Sequence, residues 1–262
     1  MRVTLLGSGD ATGVPAALCD CEYCARSARR RRPALLVEHG EATVVLDVGP
    51  DLSDQLRTAD TYDVDAFFLT HFHRDHADGL LALLQTLRSG TDAAWNDARD
   101  AHAFDLHMSP TAIDHLREAF GYFLDLLEPT WDPGGTTVGP LRVRPFPVEH
   151  ARPDYGTVGF TVEAGDAAVA YAPDMRGFAD GPPEAALDLL VCDGSPVVGV
   201  NHGTEEELLA AVGAADADRT VLVNATEHGR EEHTATLASR AAAVGCELGR
   251  DFASYAVPAD GG

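Results

Sequence analysis

The stretch LTHFHRDHADG, residues 69–79, places four metal-binding side chains directly after an apolar, strand-like run. Alternation through an extended turn points His71 and His73 the same way, whereas Asp75 and His76 lie at the entry to the next helix and face a second position. Imidazole and carboxylate groups suit zinc, manganese or iron. The stretch therefore predicts a site for two divalent metal ions, and a polar loop with accidental histidines is the alternative.

Two further ligand candidates lie where strand-like runs end, His150 in FPVEHA and Asp174 in VAYAPDM. The series HxHxDH, then a histidine, then a strand-end aspartate resembles the metallo-beta-lactamase superfamily. The resemblance implies an α/β fold, a four-layer αββα metallo-beta-lactamase sandwich formed by one domain over residues 1–262. It implies one metal on His71, His73 and His150, a second on Asp75 and His76, and a bridge by Asp174.

The same resemblance assigns roles to residues beyond the metal ligands. Asp47 in LDVGPD matches a buried strand-end aspartate that orients a ligating histidine, although an ordinary turn aspartate has the same pattern. His202 in NHGTEEELLAA matches a histidine that opens a helix near the site, which makes it a candidate general acid. A partly exposed capping-region histidine is the alternative. Asp75 and His202 are the predicted catalytic residues.

Three cysteines near the start of the chain narrow the resemblance. CDCEYCARSARRRRPALLV, residues 19–37, is similar to the 5-phosphoribosyl 1,2-cyclic phosphate phosphodiesterases of the carbon-phosphorus lyase pathway. That family carries a structural zinc whose fourth ligand is a late histidine in a motif like Leu-Thr-His-x-x-His. Aligned with LVNATEHG, residues 222–229, the motif implies a closed Cys₃His zinc site on Cys19, Cys21, Cys24 and His228.

The alignment also exposes a departure from that family. Ala225 stands where the motif has its first histidine, normally a ligand of the second catalytic metal. The predicted consequences are lower affinity, water in the vacant position, or substitution by Glu227 or His233. In a rival register His228 serves the catalytic metal, and the zinc has a non-histidine ligand.

These features imply a metal-dependent phosphodiesterase, with two catalytic manganese or zinc ions and one structural zinc. The expected reaction opens 5-phosphoribosyl 1,2-cyclic phosphate to ribose 1,5-bisphosphate, and Arg32 in the basic run ARRRRP is a candidate for the 5-phosphate. The alternatives are a tRNA 3′-processing nuclease, a pyrroloquinoline quinone biosynthesis B-like protein and a non-catalytic metal-binding scaffold.

Composition constrains the partners. The net charge is −23, with 42 acidic against 19 basic residues, and every basic residue is Arg. Such a surface disfavours nucleic acid and anionic membranes, so a small anionic phosphate ester is the expected substrate. It also suggests a salt-loving source, because a Debye length of about 3 Å at 1 M salt screens self-repulsion. With no apolar run long enough to span a membrane, we expect a cytoplasmic protein, and the relatives' pairing is compatible with a homodimer.

Strand-like and helical runs alternate along the chain. The clearest strands are predicted at 2–6, 43–47, 64–70, 157–162, 168–172, 187–192 and 220–223. Helices are predicted at 78–87, 111–127, 205–212 and 234–244. The third helix opens with Thr204 as N-cap and Glu207 three residues later, a capping box. Residues 89–135 are expected to include a lid-like excursion.

Overall fold

The computed structural model describes residues 1–88, 104–121, 124, 127–150, 156–198, 202–226, 228 and 236–258. Its strands are β1 (Arg2–Gly7), β2 (Ala34–His39), β3 (Ala42–Leu46), β4 (Ala66–Leu69), β5 (Asp105–Met108), β6 (Thr136–Val138), β7 (Leu141–Glu149), β8 (Val158–Ala164), β9 (Ala167–Ala172), β10 (Gly177–Phe178), β11 (Leu189–Asp193), β12 (Arg219–Val223), β13 (Glu247–Leu248) and β14 (Ser254–Ala256). Its helices are α1 (Glu22–Arg26), α2 (Leu52–Thr58), α3 (Arg74–Ala77), α4 (Leu80–Arg88), α5 (Pro110–Phe120), α6 (Glu205–Ala215) and α7 (Leu237–Ala243).

Two sheets form the centre of the molecule. One has the order β14-β1-β2-β3-β4-β5, and the other has the order β10-β7-β8-β9-β11-β12-β13 with β6 paired to β7. Side chains from both inner faces, such as Val44 and Val169, pack together as one buried cluster. Leu84 of α4 belongs to a cluster on the outer face of the first sheet, and Leu208 of α6 to one on the second. The fold is therefore the four-layer αββα sandwich that the sequence predicts.

Parallel strands position the functional residues. β3, β4 and β5 run parallel in the first sheet, and β9, β11 and β12 run parallel in the second. The carboxyl ends of parallel strands meet at one edge of a sheet, where ligands bind in many α/β folds. The residues that follow β4, β9, β11 and β12 consequently gather at one end of the sandwich.

The expected lid over residues 89–135 is corrected in part. Residues 89–103 lie outside the described residues. β5 pairs with β4, and Leu116 of α5 is buried against the first sheet, so both elements belong to the sandwich. The helix expected at 111–127 ends at Phe120, where Gly121 follows with φ 59°.

A further local expectation, the capping box at the start of α6, is confirmed. The capping box of α6 is present, since the Thr204 side chain accepts from the Glu207 backbone and the Glu207 side chain accepts from the Thr204 backbone. Within the described part of the chain, no helix combines the length and the apolarity that crossing a membrane requires.

Candidate metal centre

The first donor set gathers one aspartate and three histidines from three strand ends. His71 and His73 follow β4, His150 follows β7, and Asp174 follows β9. One ligand atom from each of the four lies within 4.8 Å of the others. Asp174 Oδ2 is 3.4 Å from His71 Nε2 and 3.9 Å from His150 Nε2. The first donor set therefore combines three imidazole nitrogens with one oxygen of the Asp174 carboxylate.

The second donor set uses the other oxygen of the same carboxylate. His76 Nε2 lies 3.3 Å from Asp174 Oδ1 and 3.1 Å from Asp75 Oδ2. Asp75, His76 and Asp174 also offer ligand atoms within 4.8 Å of one another. Since its two oxygens face different donor sets, Asp174 has the geometry of a bridging carboxylate.

Asp47 contacts the second donor set through His76. It is fully buried, and its backbone is in the left-handed region with φ 66°. Its carboxylate accepts from the Thr70 backbone at 2.9 Å, from the Tyr171 hydroxyl at 3.1 Å and from His76 Nδ1 at 2.8 Å. With Nδ1 committed to Asp47, the His76 ring presents Nε2 to Asp174, as in carboxylate–histidine–metal arrangements.

The electrostatics of His73 and His150 suit metal ligation. Burial, reinforced by neighbouring His71, lowers the pKa of His73 to about 4. Burial, together with the adjacent histidines, lowers the pKa of His150 to about 3 even though Asp174 opposes the shift. Metal ligation needs neutral imidazole, and these pKa values keep both rings neutral at physiological pH.

The residues present fit a pair of divalent metal ions. The buried Nε2 atoms of His71 and His76 have no hydrogen-bond partner among the described residues, although carboxylate oxygens lie within 3.4 Å of each. Buried polar nitrogens normally have a partner. Bound cations would give these two nitrogens and the Asp174 carboxylate the partners that burial requires.

His202 and Asp193 form a second histidine–carboxylate pair at the edge of the centre. His202 Nδ1 donates to Asp193 Oδ2 at 2.5 Å, and His202 Nε2 lies 3.7 Å from Asp174 Oδ2. Asp193 is fully buried and also accepts from the backbones of Ser195 at 2.8 Å and Met175 at 3.2 Å. The pair fixes the imidazole so that Nε2 faces Asp174.

The charge state of His202 follows from this pairing. Burial lowers its pKa, but the hydrogen bond to Asp193 and the charge of Asp174 outweigh burial and raise the pKa to about 9. Burial in turn raises the pKa of Asp193. The pairing with Asp193 therefore favours the protonated form of His202 at neutral pH.

The cysteine cluster lies together with the late histidine. Ligand atoms of Cys19, Cys21, Cys24 and His228 all lie within 4.8 Å of one another, and Cys24 Sγ is 3.5 Å from His228 Nδ1. The Cys24 backbone donates to Cys21 Sγ at 3.4 Å, and the Cys21 backbone donates to Cys19 Sγ at 3.5 Å. Three sulfurs and one imidazole nitrogen fit a closed tetrahedral zinc site. The rival register, in which His228 serves the catalytic pair, does not match this placement.

Ala225 takes the position of a second-metal ligand in the alignment, but in the structure its neighbour Asn224 contacts the second donor set. Ala225 is buried in a small apolar cluster with Leu237, Tyr23 and Leu248. The residue that faces the centre is Asn224, whose Nδ2 donates to Asp174 Oδ1 at 2.7 Å. Sequence reasoning missed Asn224, because motif alignment counts positions and does not register a change in backbone direction. Glu227 and His233, the two substitutes that the sequence suggests for the missing histidine, lie outside the described residues.

Arg32 is engaged with protein groups. Its guanidinium lies 3.3 Å from Asp51 Oδ2 and donates to the Ala11 carbonyl at 3.2 Å. Its neighbour Arg30 donates to the carbonyl of Ala225 at 2.6 Å and to that of Ser8. Arg30 and Arg32 thus form hydrogen bonds and an ion pair that stabilise the N-terminal loop. Phosphate binding by Arg32 stays a prediction.

Comparison with known proteins gives the family. The beta-lactamase superfamily domain matches residues 42–223, more than half of the chain. An octanoyltransferase of Porphyromonas gingivalis is 38% identical over 84 residues, 30% of this chain and 17% of that protein. A ribonuclease Z of Haloferax volcanii is 31% identical over 176 residues, 66% of this chain and 46% of that protein. The chain therefore spans less than half the length of either curated relative.

Solved structures agree on the fold. Zinc-bound PqqB from Methylobacterium extorquens has a TM-score of 0.74 at 19% identity, covering 98% of this chain and 100% of its own. A diphosphatase from the PhnP family has a TM-score of 0.71 at 21% identity, covering 97% of both chains. The matched region 42–223 contains both His/Asp donor sets described above. From its sequence match and its fold, the chain belongs to the beta-lactamase superfamily.

Proposed function

We propose that this protein is a metal-dependent phosphodiesterase that opens 5-phosphoribosyl 1,2-cyclic phosphate to ribose 1,5-bisphosphate. The observation that carries the proposal is the co-occurrence of two His/Asp donor sets with a Cys₃His set in one chain. That combination is the one by which the sequence resembles the cyclic phosphate phosphodiesterases. The fold shared with a PhnP-family diphosphatase over nearly the whole chain supports it further.

The proposed metal ligands form two catalytic sites and one structural zinc site. His71, His73, His150 and Asp174 would hold one catalytic ion, and Asp75, His76 and Asp174 would hold the other. Bound divalent cations, manganese or zinc, supply charge neutralisation at the phosphoryl oxygens and lower the pKa of the attacking water. Zinc on the three cysteines and His228 ties the N-terminal loop to the segment that follows β12.

His202 has the geometry of the proton donor. Asp193 holds Nδ1, so the Nε2 proton is directed toward the space in front of Asp174, where the scissile phosphate lies in this proposal. Opening the ring forms a bond between phosphorus and the oxygen of the attacking water and breaks the bond between phosphorus and the ribose 2-oxygen. The 2-oxygen leaves as an alkoxide and takes the Nε2 proton of His202. The phosphate stays on the 1-oxygen as a monoester. Proton transfer by a positioned histidine contributes about 10²–10⁴-fold to such a step.

The substrate class follows from charge. With a net charge of −23, the protein gains no long-range attraction for a polyanion, so a small substrate gripped locally by cations fits better. Arg32 is our candidate for the 5-phosphate, and binding there would exchange its contact with Asp51 for the phosphate.

A second candidate function is tRNA 3′ processing. It is supported by the Haloferax volcanii ribonuclease Z, which aligns with 66% of this chain. The acidic surface opposes it, because binding RNA depends strongly on neutralising phosphates with basic side chains.

Turnover of both substrates by one preparation separates the candidates. The zinc-retaining protein, supplied with manganese at high salt, is assayed on the cyclic phosphate and on a precursor tRNA. A His73→Ala variant serves as the control for contaminating activity. We expect ring opening by the wild type alone and no cleavage of the tRNA. Cleavage of the precursor tRNA without ring opening would replace the first proposal by the second.

A further inference from the structure

The residue after β12 turns its side chain toward the metal centre. Asn224 is buried, and its Nδ2 donates to Asp174 Oδ1 at 2.7 Å and to the Pro173 carbonyl at 3.3 Å. Its backbone lies in the left-handed region with φ 55°, which asparagine adopts more readily than most residues. The backbone N–H of Asn224 also donates to the Ser8 carbonyl at 3.1 Å. The turn is therefore anchored at both its backbone and its side chain.

The next side chain points elsewhere. Ala225 packs beside Leu237 of α7 and the partly buried Tyr23. A methyl group added at Gly194 would lie 3.1 Å from the Ala225 Cβ, so the Ala225 side chain lies against the β11 turn. We therefore expect a larger side chain at position 225 to extend into the apolar cluster and not toward Asp174.

The two donor sets are unequal in what they offer a cation. The first combines three imidazoles with Asp174 Oδ2. The second has Asp75, His76 and Asp174 Oδ1, and that oxygen already accepts a hydrogen bond from Asn224. An amide N–H is a donor and binds no cation, so Asn224 orients Asp174 but adds no ligand to the second set.

We propose that Asn224, and not residue 225, holds the position next to the second donor set and acts there as a positioning residue for Asp174. The consequence is a pair of metal sites with different affinities. The first site binds tightly, and the second binds at least about tenfold more weakly, in line with the usual effect of changes around metal ligands. The inference rests on the dinuclear centre of the proposed function but not on its substrate.

Manganese titration of the zinc-retaining protein tests the proposal. Bound manganese is measured by equilibrium dialysis with elemental analysis, and electron paramagnetic resonance detects the exchange coupling of a filled pair. We expect two binding steps in the wild type, separated by at least about tenfold. Asn224→His supplies an imidazole at the proposed position and should tighten the second step by about tenfold or more.

Ala225→His is the matched control, since it adds the same imidazole one residue away. It should leave the separation of the two steps unchanged, because its side chain faces Leu237. Asn224→Ala keeps the test decisive if either histidine variant does not fold, and it should weaken the second step by about 10- to 100-fold. Equal steps in the wild type, an Ala225→His variant that matches Asn224→His, or an Asn224→Ala variant with unchanged binding would each overturn the proposal.

The outcome is distinguishable from failure of the proposed function. Two unequal manganese-binding steps in a protein that does not open the cyclic phosphate would support the role of Asn224 and would exclude the cyclic phosphate as the substrate. Ring opening by a protein with two equal manganese-binding steps would support the proposed function and would contradict the role of Asn224.

Discussion

Replacing His202 by alanine should abolish most cyclic phosphate opening while leaving the metal centre filled. His202 belongs to neither of the two donor sets assigned to the catalytic metals, but it forms a further group of possible donors with Asp174 and Asp193. Metal content therefore has to show that truncation removes a proton donor and no ligand. General acid catalysis of this kind is worth about 10²–10⁴-fold. That range corresponds to about 2.7–5.4 kcal/mol of activation free energy at about 1.36 kcal/mol per decade.

The folded state should tolerate the change. Asp193 loses one of three hydrogen-bond donors but keeps the Ser195 and Met175 backbones at 2.8 and 3.2 Å. A partly unsatisfied buried carboxylate costs about 1–3 kcal/mol of stability, which leaves most small domains folded. Thermal unfolding and manganese content are therefore measured beside turnover.

An aryl phosphodiester separates acid catalysis from other effects. A nitrophenolate departs without a proton, so His202→Ala should hydrolyse bis(4-nitrophenyl) phosphate at close to the wild-type rate. The measurement is kcat on each substrate for both proteins, at matched metal occupancy. Equal losses on the two substrates, or no loss on the cyclic phosphate, would refute the role of His202 as acid.

Three further predictions concern the supporting groups. His228→Ala should release the structural zinc before the dinuclear pair loses metal, measured by elemental analysis during stepwise chelation; loss of catalytic metal with zinc retained would contradict it. Asp47→Asn should weaken manganese binding by about 10- to 100-fold, because His76 loses the carboxylate that orients it, and unchanged dialysis isotherms would exclude that role. Burial raises the pKa of Cys24 to about 11, so protons compete with zinc at every lower pH, and zinc retention should fall steeply on acidification. Zinc content that does not change between pH 8 and about pH 5 would argue against thiolate ligation.

The metal-binding end of the sandwich was accessible from the sequence. The alternation of His71 and His73 after an apolar strand is a local signal, because extended backbone repeats every two residues. The placement of His150 and Asp174 came from the resemblance, since nothing local distinguishes a ligand at a strand end from a turn residue. In the structure all four gather within 4.8 Å.

Features that depend on backbone direction or long-range pairing were not accessible. The left-handed backbone of Asn224 reverses which side chain faces Asp174, and a motif aligned by position assigns that place to Ala225 instead. β7 was missed because Pro145 and Pro147 interrupt its pattern, yet both proline positions pair with residues of β8.

Opening of 5-phosphoribosyl 1,2-cyclic phosphate, followed by ³¹P NMR, tests the central claim most directly. The protein is used at high salt with zinc retained and manganese supplied, and metal occupancy is measured on the same sample. The proposed function predicts that the cyclic phosphate resonance is replaced by one new monoester resonance, that of the 1-phosphate, beside the 5-phosphate resonance that the substrate already shows. A substrate spectrum that does not change while both catalytic sites are filled would contradict it.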